Sequence, residues 1–326
     1  MASRSWSPGR PARAAWLLFV LGAGAMPGCR TIPPVPQPVP VVAPKPEVPA
    51  GDEIIVAGRR FPTGTRVITW LERDGYNAYR AAPPNHGGRL APARPGDPGG
   101  RKTIPSGLGA LQGFVDQLVL HYDNMGLSQL CFEVLQRRGL SVHFLIDVDG
   151  TIYQTLDLSE RAQHATTANS RSLGIELANI GAYPPADTRE LARWYQPDAA
   201  GKIRLTPPKD VAGPRIHPAD FTGRPARPDQ VRGVIQGRDL AQYDYTPEQY
   251  AALAKLTAAL CRLFPLIKCD YPRDATGRLV RKKLPDAALE KYQGILGHYH
   301  IQENKTDPGP AFDWDKLVAE ARALAK

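Results

Sequence analysis

The sequence predicts an α/β domain built on a single mixed β-sheet flanked by helices. Two observations lead to this prediction. Short apolar segments typical of buried strands alternate with helical segments along residues 108–326, and the clearest helical segments carry cap residues at their ends. With 326 residues, of which 42% are hydrophobic, the chain is long enough to bury a sizeable core.

Apolar segments predict the strands of this sheet. DQLVLHY is an apolar strand that ends at His121. Alternating apolar residues in SVHFLIDVDGTIYQTL, interrupted by Asp149 and Gly150, predict a β-hairpin. SLGIELAN and GILGH are two further predicted strands, and the second ends at His298.

Three segments predict helices. SQLCFEVLQRRG places Leu130 and Leu135 on one face and stops at Gly139. TPEQYAALAKLTAALCRLF begins with Thr246 as N-cap, has a proline at its first turn and carries an apolar leucine stripe. DWDKLVAEARALAK is a closing helix capped by Asp313.

The first 28 residues have the pattern of a signal peptide. Arg4, Arg10 and Arg13 form a positive region, and the apolar segment AAWLLFVLGAGAM that follows is too short to span a membrane. It ends in MPGC, which resembles the lipobox of bacterial lipoproteins, where the cysteine becomes the lipidated N-terminus. We therefore expect an exported protein tethered to a membrane through Cys29, and the alternative is an ordinary signal peptide cleaved nearby.

Composition divides the rest of the chain into three parts, the last of which contains an insertion. Residues 29–50 form an anchor and linker, because positions 33–49 hold eight prolines and would extend roughly 50 Å at about 3.1 Å per residue. Residues 51–107 are an N-terminal extension packed on the core, with two candidate strands, EIIVAG and TRVITWL. Residues 108–326 form the main domain. Within it, residues 182–245 are a Pro/Gly/Arg-rich insertion with little periodicity, predicted to be an ordered loop with one short helix at LARWYQ.

The formal net charge of +9 falls to +6 without residues 1–28, since three arginines and no acids leave. A basic protein suits a polyanionic polymer or a membrane face. No long run of Lys/Arg and no basic stripe interleaved with aromatic residues occurs, so nucleic acid is not an expected partner.

Cysteine usage leaves one pairing open. Cys261 and Cys269 flank RLFPLIK and can close a small loop in an oxidising compartment. Cys131 lies in a helical pattern and is predicted to be a buried thiol. No C-x-x-C occurs, so the sequence does not support a cysteine zinc cluster.

Two histidines and one aspartate suggest a metal centre. His121 and His298 end two predicted strands, where ligands gather in α/β sheets, and Asp307 follows nine residues after His298 across a turn. Two imidazoles and a carboxylate with one open position form a catalytic zinc shell. Each residue taken singly would more often be structural. His300 shares a strand face with His298 if the strand continues, and is an alternative ligand.

Five segments of the sequence, taken together, resemble a known family. LVLHYDN, VHFLIDVDGTIYQTLD, AQHAT, NSRSLGIELAN and GHYHIQENKTDPGPAFDW occur in the order seen in zinc-dependent N-acetylmuramoyl-L-alanine amidases of type 2. These enzymes are related to peptidoglycan recognition proteins and to amidase-type phage lysozymes. The resemblance covers about residues 108–325 and is interrupted by the insertion. With the lipobox and the spacer, the sequence is similar to the outer-membrane lipoprotein branch, which implies a periplasmic location.

The resemblance implies a peptidoglycan-recognition-protein-like fold and a set of roles. His121, His298 and Asp307 would bind Zn²⁺, Glu176 in GIEL would be the acid/base, and Lys305 would stabilise charge. The reaction implied is hydrolysis of the amide between N-acetylmuramic acid and L-alanine of the stem peptide, in peptidoglycan or a muropeptide. The sequence does not indicate the oligomeric state, and we expect a monomer.

The same resemblance leaves alternatives open. Some relatives bind peptidoglycan without cutting it, so a non-catalytic binding module is the second reading. No H-E-x-x-H occurs, which argues against the common zincin design. His164 in AQHAT would line the substrate groove or pack in a loop, whereas His143 is predicted to be a core or supporting histidine. The 182–245 insertion is a candidate cover for the groove.

Overall fold

The structure is a computed structural model that describes residues 51–91, 102–211 and 221–326. These residues belong to one compact unit, Pro46–Lys326. The predicted signal peptide, Cys29 and the proline-rich linker lie outside the described residues. Among the described residues, no helix has the length and apolar character needed to cross a bilayer.

Six helices and fourteen strands order the described chain. The helices are α1 Leu108–Gln112, α2 Ser128–Arg137, α3 Arg189–Trp194, α4 Pro247–Leu263, α5 Asp286–Lys291 and α6 Trp314–Leu324. The strands are β1 Glu53–Val56, β2 Arg59–Pro62, β3 Val67–Thr69, β4 His86–Gly88, β5 Gln117–Tyr122, β6 Phe144–Ile146, β7 Ile152–Gln154, β8 Glu160–Ala162, β9 Ser172–Leu177, β10 Tyr195–Pro197, β11 Ile203–Leu205, β12 Val231–Ile235, β13 Arg238–Gln242 and β14 Gly294–Gly297.

A six-stranded sheet in the order β14-β5-β9-β6-β7-β3 forms the centre of the domain. All neighbouring pairs are parallel except β6 and β7, which form the predicted hairpin. The predicted fold class, one mixed sheet flanked by helices, is therefore confirmed. The N-terminal extension does more than pack on this sheet, because β3 pairs with β7 and forms one edge.

The two faces of the sheet have different partners. Leu118 and Leu120 of β5 join the largest buried apolar cluster, which includes residues of α4 and α6. The alternate residues of β5 point to the opposite face, as a period of two requires. There, Cys131 and Leu135 of α2 pack with Leu145 of β6. The functional side chains described below lie on this second face.

The helix α4 begins as its sequence predicts. The Thr246 hydroxyl accepts a hydrogen bond of 3.0 Å from the backbone N–H of Gln249, and the Gln249 side chain accepts one of 3.0 Å from the backbone N–H of Thr246. Such a reciprocal cap stabilises a helix by about 1 kcal/mol. Asp313 likewise caps α6 by accepting from the Lys316 N–H at 2.9 Å.

The 182–245 insertion is more regular than its sequence indicates. The predicted short helix is present as α3. The described part also forms two hairpins, β10–β11 and β12–β13. Their strands are three to five residues long and half-exposed, so they leave little periodic signal. The second hairpin turns at Gln236 and Gly237, both with positive φ, the backbone geometry of a tight hairpin turn.

Two other local predictions need correction or comment. The strand predicted over GILGH ends at Gly297, and His298–His300 form a 3₁₀ turn instead of continuing it. Cys261 and Cys269 are free thiols here, and Cys131 is buried as predicted.

Candidate metal centre

Three strand-end segments bring His121, His298 and Asp307 to one point. His121 lies near the end of β5, and His298 directly follows the adjacent parallel strand β14. Asp307 returns to the same place by way of the loop after the 3₁₀ turn, whose Tyr299 N–H donates to the Asp307 carbonyl oxygen at 3.3 Å. All three side chains are at least nine-tenths buried.

The three potential ligand atoms form a nearly equilateral triangle. The Nδ1 atoms of His121 and His298 are 3.0 Å apart, and they lie 2.9 and 3.0 Å from Oδ2 of Asp307. Tetrahedral zinc with bonds of about 2.0–2.1 Å separates its ligand atoms by about 3.3 Å. The triangle therefore has nearly the dimensions of three corners of a zinc shell. Among the described residues, this is the group of acidic, histidine or cysteine side chains that meets the spacing for a metal ion.

The chemistry of the donors also fits a cation. Nε2 of His298 lies 2.6 Å from Oε1 of Gln302, an acceptor, so this nitrogen carries the proton. With that proton on Nε2, Nδ1 of His298 directs a lone pair at a carboxylate oxygen of Asp307, 3.0 Å away. Two lone pairs at this distance repel unless a cation or a proton lies between them. The residues present therefore fit a zinc ion.

The surroundings of His121 and Asp307 shift the pKa values of both side chains. Burial lowers the pKa of His121 to about 4, and the neighbouring His298 adds to this effect. Burial opposes ionisation of Asp307, but His298 and His121, which face it, outweigh burial and hold its pKa well below the usual value. A neutral imidazole and an ionised carboxylate are the forms that bind metals.

A further histidine, His164, contacts the ring of His121. Nε2 of His121 lies 3.1 Å from Nδ1 of His164, whose Nε2 is 3.2 Å from the Ser172 hydroxyl. If Nδ1 of His121 faces the metal, its Nε2–H donates to His164, and His164 in turn donates to Ser172. The position of Gly174 explains how the ring fits: a Cβ there would lie 2.7 Å from His164 Nδ1. His164 thus supports a ligand and also lines the pocket.

Two histidines have other roles. The prediction of His300 as an alternative ligand is wrong, because the chain leaves the strand and turns. Its Nδ1 accepts from the Gly297 N–H at 2.9 Å, and its Nε2 donates to the Val280 carbonyl at 2.7 Å. His143 is fully buried, accepts from the Gly174 N–H at 3.0 Å and lies 3.0 Å from the buried guanidinium of Arg89, in agreement with the predicted supporting role.

Glu176 lies beside the triangle. It is the cross-strand partner of His121 in the parallel pair β5–β9, so both side chains point to the same face. Burial raises its pKa well above the usual value, and the charges of Asp307 and Asp123 add to this, whereas Lys305 opposes it. Its Oε2 is buried with no hydrogen-bond partner.

The pocket in front of these groups has a volume of about 300 Å³. Lys305 is half-buried in its wall and forms no ion pair within the described chain. Asp123 lines the same pocket, and its Oδ1 accepts from three backbone N–H groups while Oδ2 has no partner. Burial raises the pKa of Asp123 to about 7. The pocket thus combines a ligand triangle, two carboxyl groups and one cation.

Residues of the insertion form hydrogen bonds to the loop that follows Asp307. Gln242 of β13 donates to the Pro308 carbonyl at 3.2 Å and accepts from the Ala311 N–H at 3.0 Å, and Tyr245 donates to the same Pro308 carbonyl at 2.7 Å. Gly309, with φ +89°, passes so close to the Gln242 carboxamide that no Cβ would fit.

The tip of hairpin β12–β13 contacts the 3₁₀ turn His298–His300, which we call the histidine turn. The side chain of Gln236 donates to the carbonyl oxygens of Tyr299 at 2.7 Å and Gln302 at 3.1 Å. The residues of the insertion that the structure describes do not line the metal pocket, so the expected cover over the groove is not seen in this part of the chain. Sequence reasoning missed Gln236, Gln242 and Gln302, because an isolated glutamine carries no chemical signal.

The fold and the site together define a mixed α/β domain with a two-histidine, one-carboxylate centre at the ends of parallel strands. The chain belongs to the N-acetylmuramoyl-L-alanine amidase family, whose model Amidase_2 matches residues 111–310.

Individual relatives are distant. A peptidoglycan-recognition protein of Drosophila melanogaster is 32% identical over 99 residues, which cover 28% of this chain and 53% of that protein, so the chain spans about half the length of this relative. The amidase AmiD from E. coli, solved with anhydro-N-acetylmuramic acid-L-Ala-D-gamma-Glu-L-Lys, is 19% identical with a TM-score of 0.34, covering 63% of this chain and 57% of that one. AmpDh3 from Pseudomonas aeruginosa, in complex with anhydromuramic pentapeptide, is 18% identical with a TM-score of 0.37, covering 63% and 59%.

Proposed function

We propose that this protein is a zinc-dependent N-acetylmuramoyl-L-alanine amidase, which hydrolyses the amide between the lactyl group of N-acetylmuramic acid and L-alanine of the stem peptide. The observation that carries the proposal is the triangle of His121, His298 and Asp307 with Glu176 on the neighbouring strand. Membership of the amidase family supports the choice of bond.

Each residue has a distinct role in this mechanism. His121, His298 and Asp307 would hold a zinc ion, which when bound would supply Lewis acidity towards the carbonyl and a water whose pKa is lowered towards about 7. Glu176 accepts a proton from the attacking water and returns it to the leaving amine nitrogen of L-alanine. Its raised pKa suits a carboxyl that must hold a proton between these two steps.

Lys305 would act on the carbonyl oxygen. Its positive charge is close enough to lower the pKa of both Glu176 and His121. A fixed cation in a partly buried pocket stabilises negative charge that develops on the scissile carbonyl oxygen. The 3.2 Å hydrogen bond from Gln242 to the Pro308 carbonyl helps to fix the loop that carries both Lys305 and Asp307.

The test is mass spectrometry of purified peptidoglycan after digestion, with and without a chelator. An amidase yields intact stem peptides with a free L-alanine amine and muramic acid with a free lactyl carboxylate, and the chelator abolishes both products. Shortened peptides would indicate an endopeptidase. Tight binding without any product would indicate the alternative function, a peptidoglycan-binding module.

We further propose that the protein is exported to the periplasm and attached to the outer membrane through lipidated Cys29. The support is the sequence pattern of residues 1–50, with its apolar segment, MPGC and proline-rich spacer. Labelling of cells with radioactive palmitate should mark the wild-type protein and leave Cys29→Ala unlabelled. Equal labelling of both would contradict lipidation at this cysteine.

A further inference from the structure

A second cleft lies apart from the metal pocket in the described chain. Its volume is about 750 Å³, against about 300 Å³ for the metal pocket, and the two share no lining residue. Three chain segments form it: the start of hairpin β12–β13 with the residues before it, the loop between α4 and α5, and the residues that lead into α6. The family chemistry described above uses none of these side chains.

Five arginines line this cleft, which we call the arginine cleft: Arg227, Arg232, Arg273, Arg278 and Arg281. Three aspartates line it as well, so the lining has a formal excess of two positive charges: Asp274, Asp313 and Asp315. Guanidinium groups bind carboxylates through two parallel hydrogen bonds, which makes such a cleft suited to anions.

Internal contacts occupy the aspartates. Asp313 caps α6. Asp315 accepts from the Tyr271 hydroxyl at 2.7 Å and from Arg273 at 3.2 Å. Asp274 accepts from the backbone N–H groups of its own turn and pairs with Arg278 at 3.6 Å. The negative groups of the cleft therefore shape its wall.

Two of the five arginines form no ion pair with a described residue. Arg232 and Arg281 are exposed and have no carboxylate within 4.0 Å among the residues that the structure describes. Arg227 and Arg273, by contrast, are held in place, the first by buried Asp244 at 2.6 Å and the second by stacking 3.9 Å above the Tyr271 ring. The cleft thus combines fixed donors with two uncompensated cations.

Aromatic rings form part of the base of the cleft. Tyr271, Phe312 and Trp314 are almost fully buried, so they give the base a rigid support and leave the guanidinium groups as the main exposed donors. A concave site with guanidinium donors suits a chain segment that carries carboxylates. Its concavity favours a chain segment that enters the cleft over a flat anionic surface.

We propose that the arginine cleft is an accessory binding site for a carboxylate-bearing glycopeptide segment of the cell-wall polymer, separate from the metal pocket. The identity of the polymer rests on the proposed function. An accessory site would hold the enzyme on an insoluble polymer while the metal pocket engages single stem peptides.

The experiment measures binding of chelator-treated protein, which cannot turn over substrate, to purified sacculi by co-sedimentation. The variant R232E/R281E reverses the two uncompensated cations. The matched control, R204E/R238E, changes the net charge equally at two exposed arginines on hairpins of the insertion that do not line the cleft. We expect the cleft variant to bind at least tenfold more weakly than the control, and the control to stay within twofold of wild type.

Two further arms identify the ligand. Sacculi whose carboxylates have been capped as amides should lose the difference between the cleft variant and the control. Vesicles of anionic phospholipid should show no such difference. Equal binding of the two variants to sacculi, or a difference seen only with vesicles, would overturn the proposal.

Hydrolysis of a soluble muropeptide separates this proposal from the proposed function. R232E/R281E should retain wild-type turnover on that substrate, because neither residue contacts the metal pocket. If the wild-type protein fails to hydrolyse the muropeptide yet shows the expected difference on sacculi, the accessory site stands and the proposed function fails.

Discussion

Gln242 donates a 3.2 Å hydrogen bond to the carbonyl oxygen of Pro308, the residue that follows Asp307. Gln242 is fully buried and belongs to the insertion, far in sequence from the candidate metal ligands. The insertion therefore has a structural part in the metal centre: the hairpin β12–β13 supports the Asp307 loop through Gln242 and the histidine turn through Gln236.

Replacing Gln242 should weaken the metal site and the fold together. Gln242→Leu keeps the size of the side chain but leaves the Ala311 N–H and the Pro308 carbonyl without one partner each. We expect a loss of about 1–3 kcal/mol in the free energy of unfolding, because the Ala311 N–H is left unpaired whereas the Pro308 carbonyl keeps its hydrogen bond from Tyr245. Denaturant unfolding and zinc titration measure the two effects. Gln196→Leu, an exposed glutamine on β10, is the control, and an equal change in both variants would contradict the role of Gln242.

His164 can be tested with two isosteres. The Oδ1 atom of an asparagine occupies nearly the place of Nδ1 of histidine, so His164→Asn retains an acceptor for His121. His164→Gln places its polar group nearer Ser172 instead. Loss of a partner behind a metal ligand typically weakens metal binding about 10–100-fold.

We therefore expect the zinc dissociation constant to rise at least tenfold for His164→Gln and His164→Ala, and much less for His164→Asn. Competition with a chromogenic chelator gives these constants without an activity assay. Similar weakening in all three variants would show that His164 only fills space.

Glu176→Gln should separate catalysis from metal binding. The amide cannot accept the proton of water, so we expect kcat to fall by about 10²–10⁴-fold, the range for a lost general acid or base. Zinc affinity should change little, because Glu176 is not part of the ligand triangle. Glu133→Gln, on the exposed face of α2, is the control. Retained turnover in Glu176→Gln would exclude Glu176 as the acid/base.

Lys305→Met should lower kcat and also shift its pH dependence. Loss of a group that stabilises transition-state charge costs about 10²–10³-fold in kcat. Lys305 lowers the pKa of Glu176, so its removal should raise that pKa and move the acidic limb of the kcat profile to higher pH. Exposed Lys268 provides the control variant Lys268→Met. A lower kcat with an unshifted limb would mean that Lys305 acts on substrate without influencing Glu176.

Asp123 should make the metal-free protein less stable as pH rises. Burial raises its folded-state pKa to about 7, above the value of an unfolded aspartate. Its contribution to stability is therefore fully present below about pH 4 and is lost as pH rises through 7. Asp123→Asn retains the Oδ1 acceptor without the charge.

The variant should thus match wild type near pH 4 and exceed it by up to about 4 kcal/mol above pH 7. Denaturant unfolding of chelated protein across this range measures the difference. Asp149→Asn, in the β6–β7 turn, is the control. A gain that does not depend on pH would exclude titration of Asp123 as its cause.

The sequence by itself determined the fold class and the main helices, and it singled out the three candidate ligands. Thr246 and Asp313 are cap residues whose local chemistry needs no tertiary partner, so both helices begin where predicted. The apolar segments of β5, β9 and β14 are buried on both faces, and continuous apolar runs are visible without coordinates. His121, His298 and Asp307 could be singled out because their residue types carry the chemistry of metal binding.

Only the tertiary structure decided what surrounds these candidate ligands. Gln242 and Gln302 act through single hydrogen bonds to groups that folding brings near, and no spacing in the sequence encodes such contacts. His300 could be a ligand only if the strand continued beyond Gly297. Instead, β14 ends there, and the His300 ring points towards the Val280 carbonyl. The physical reason is the same throughout: periodicity and capping are local interactions, whereas the partner of a buried polar group depends on which distant segments pack against it.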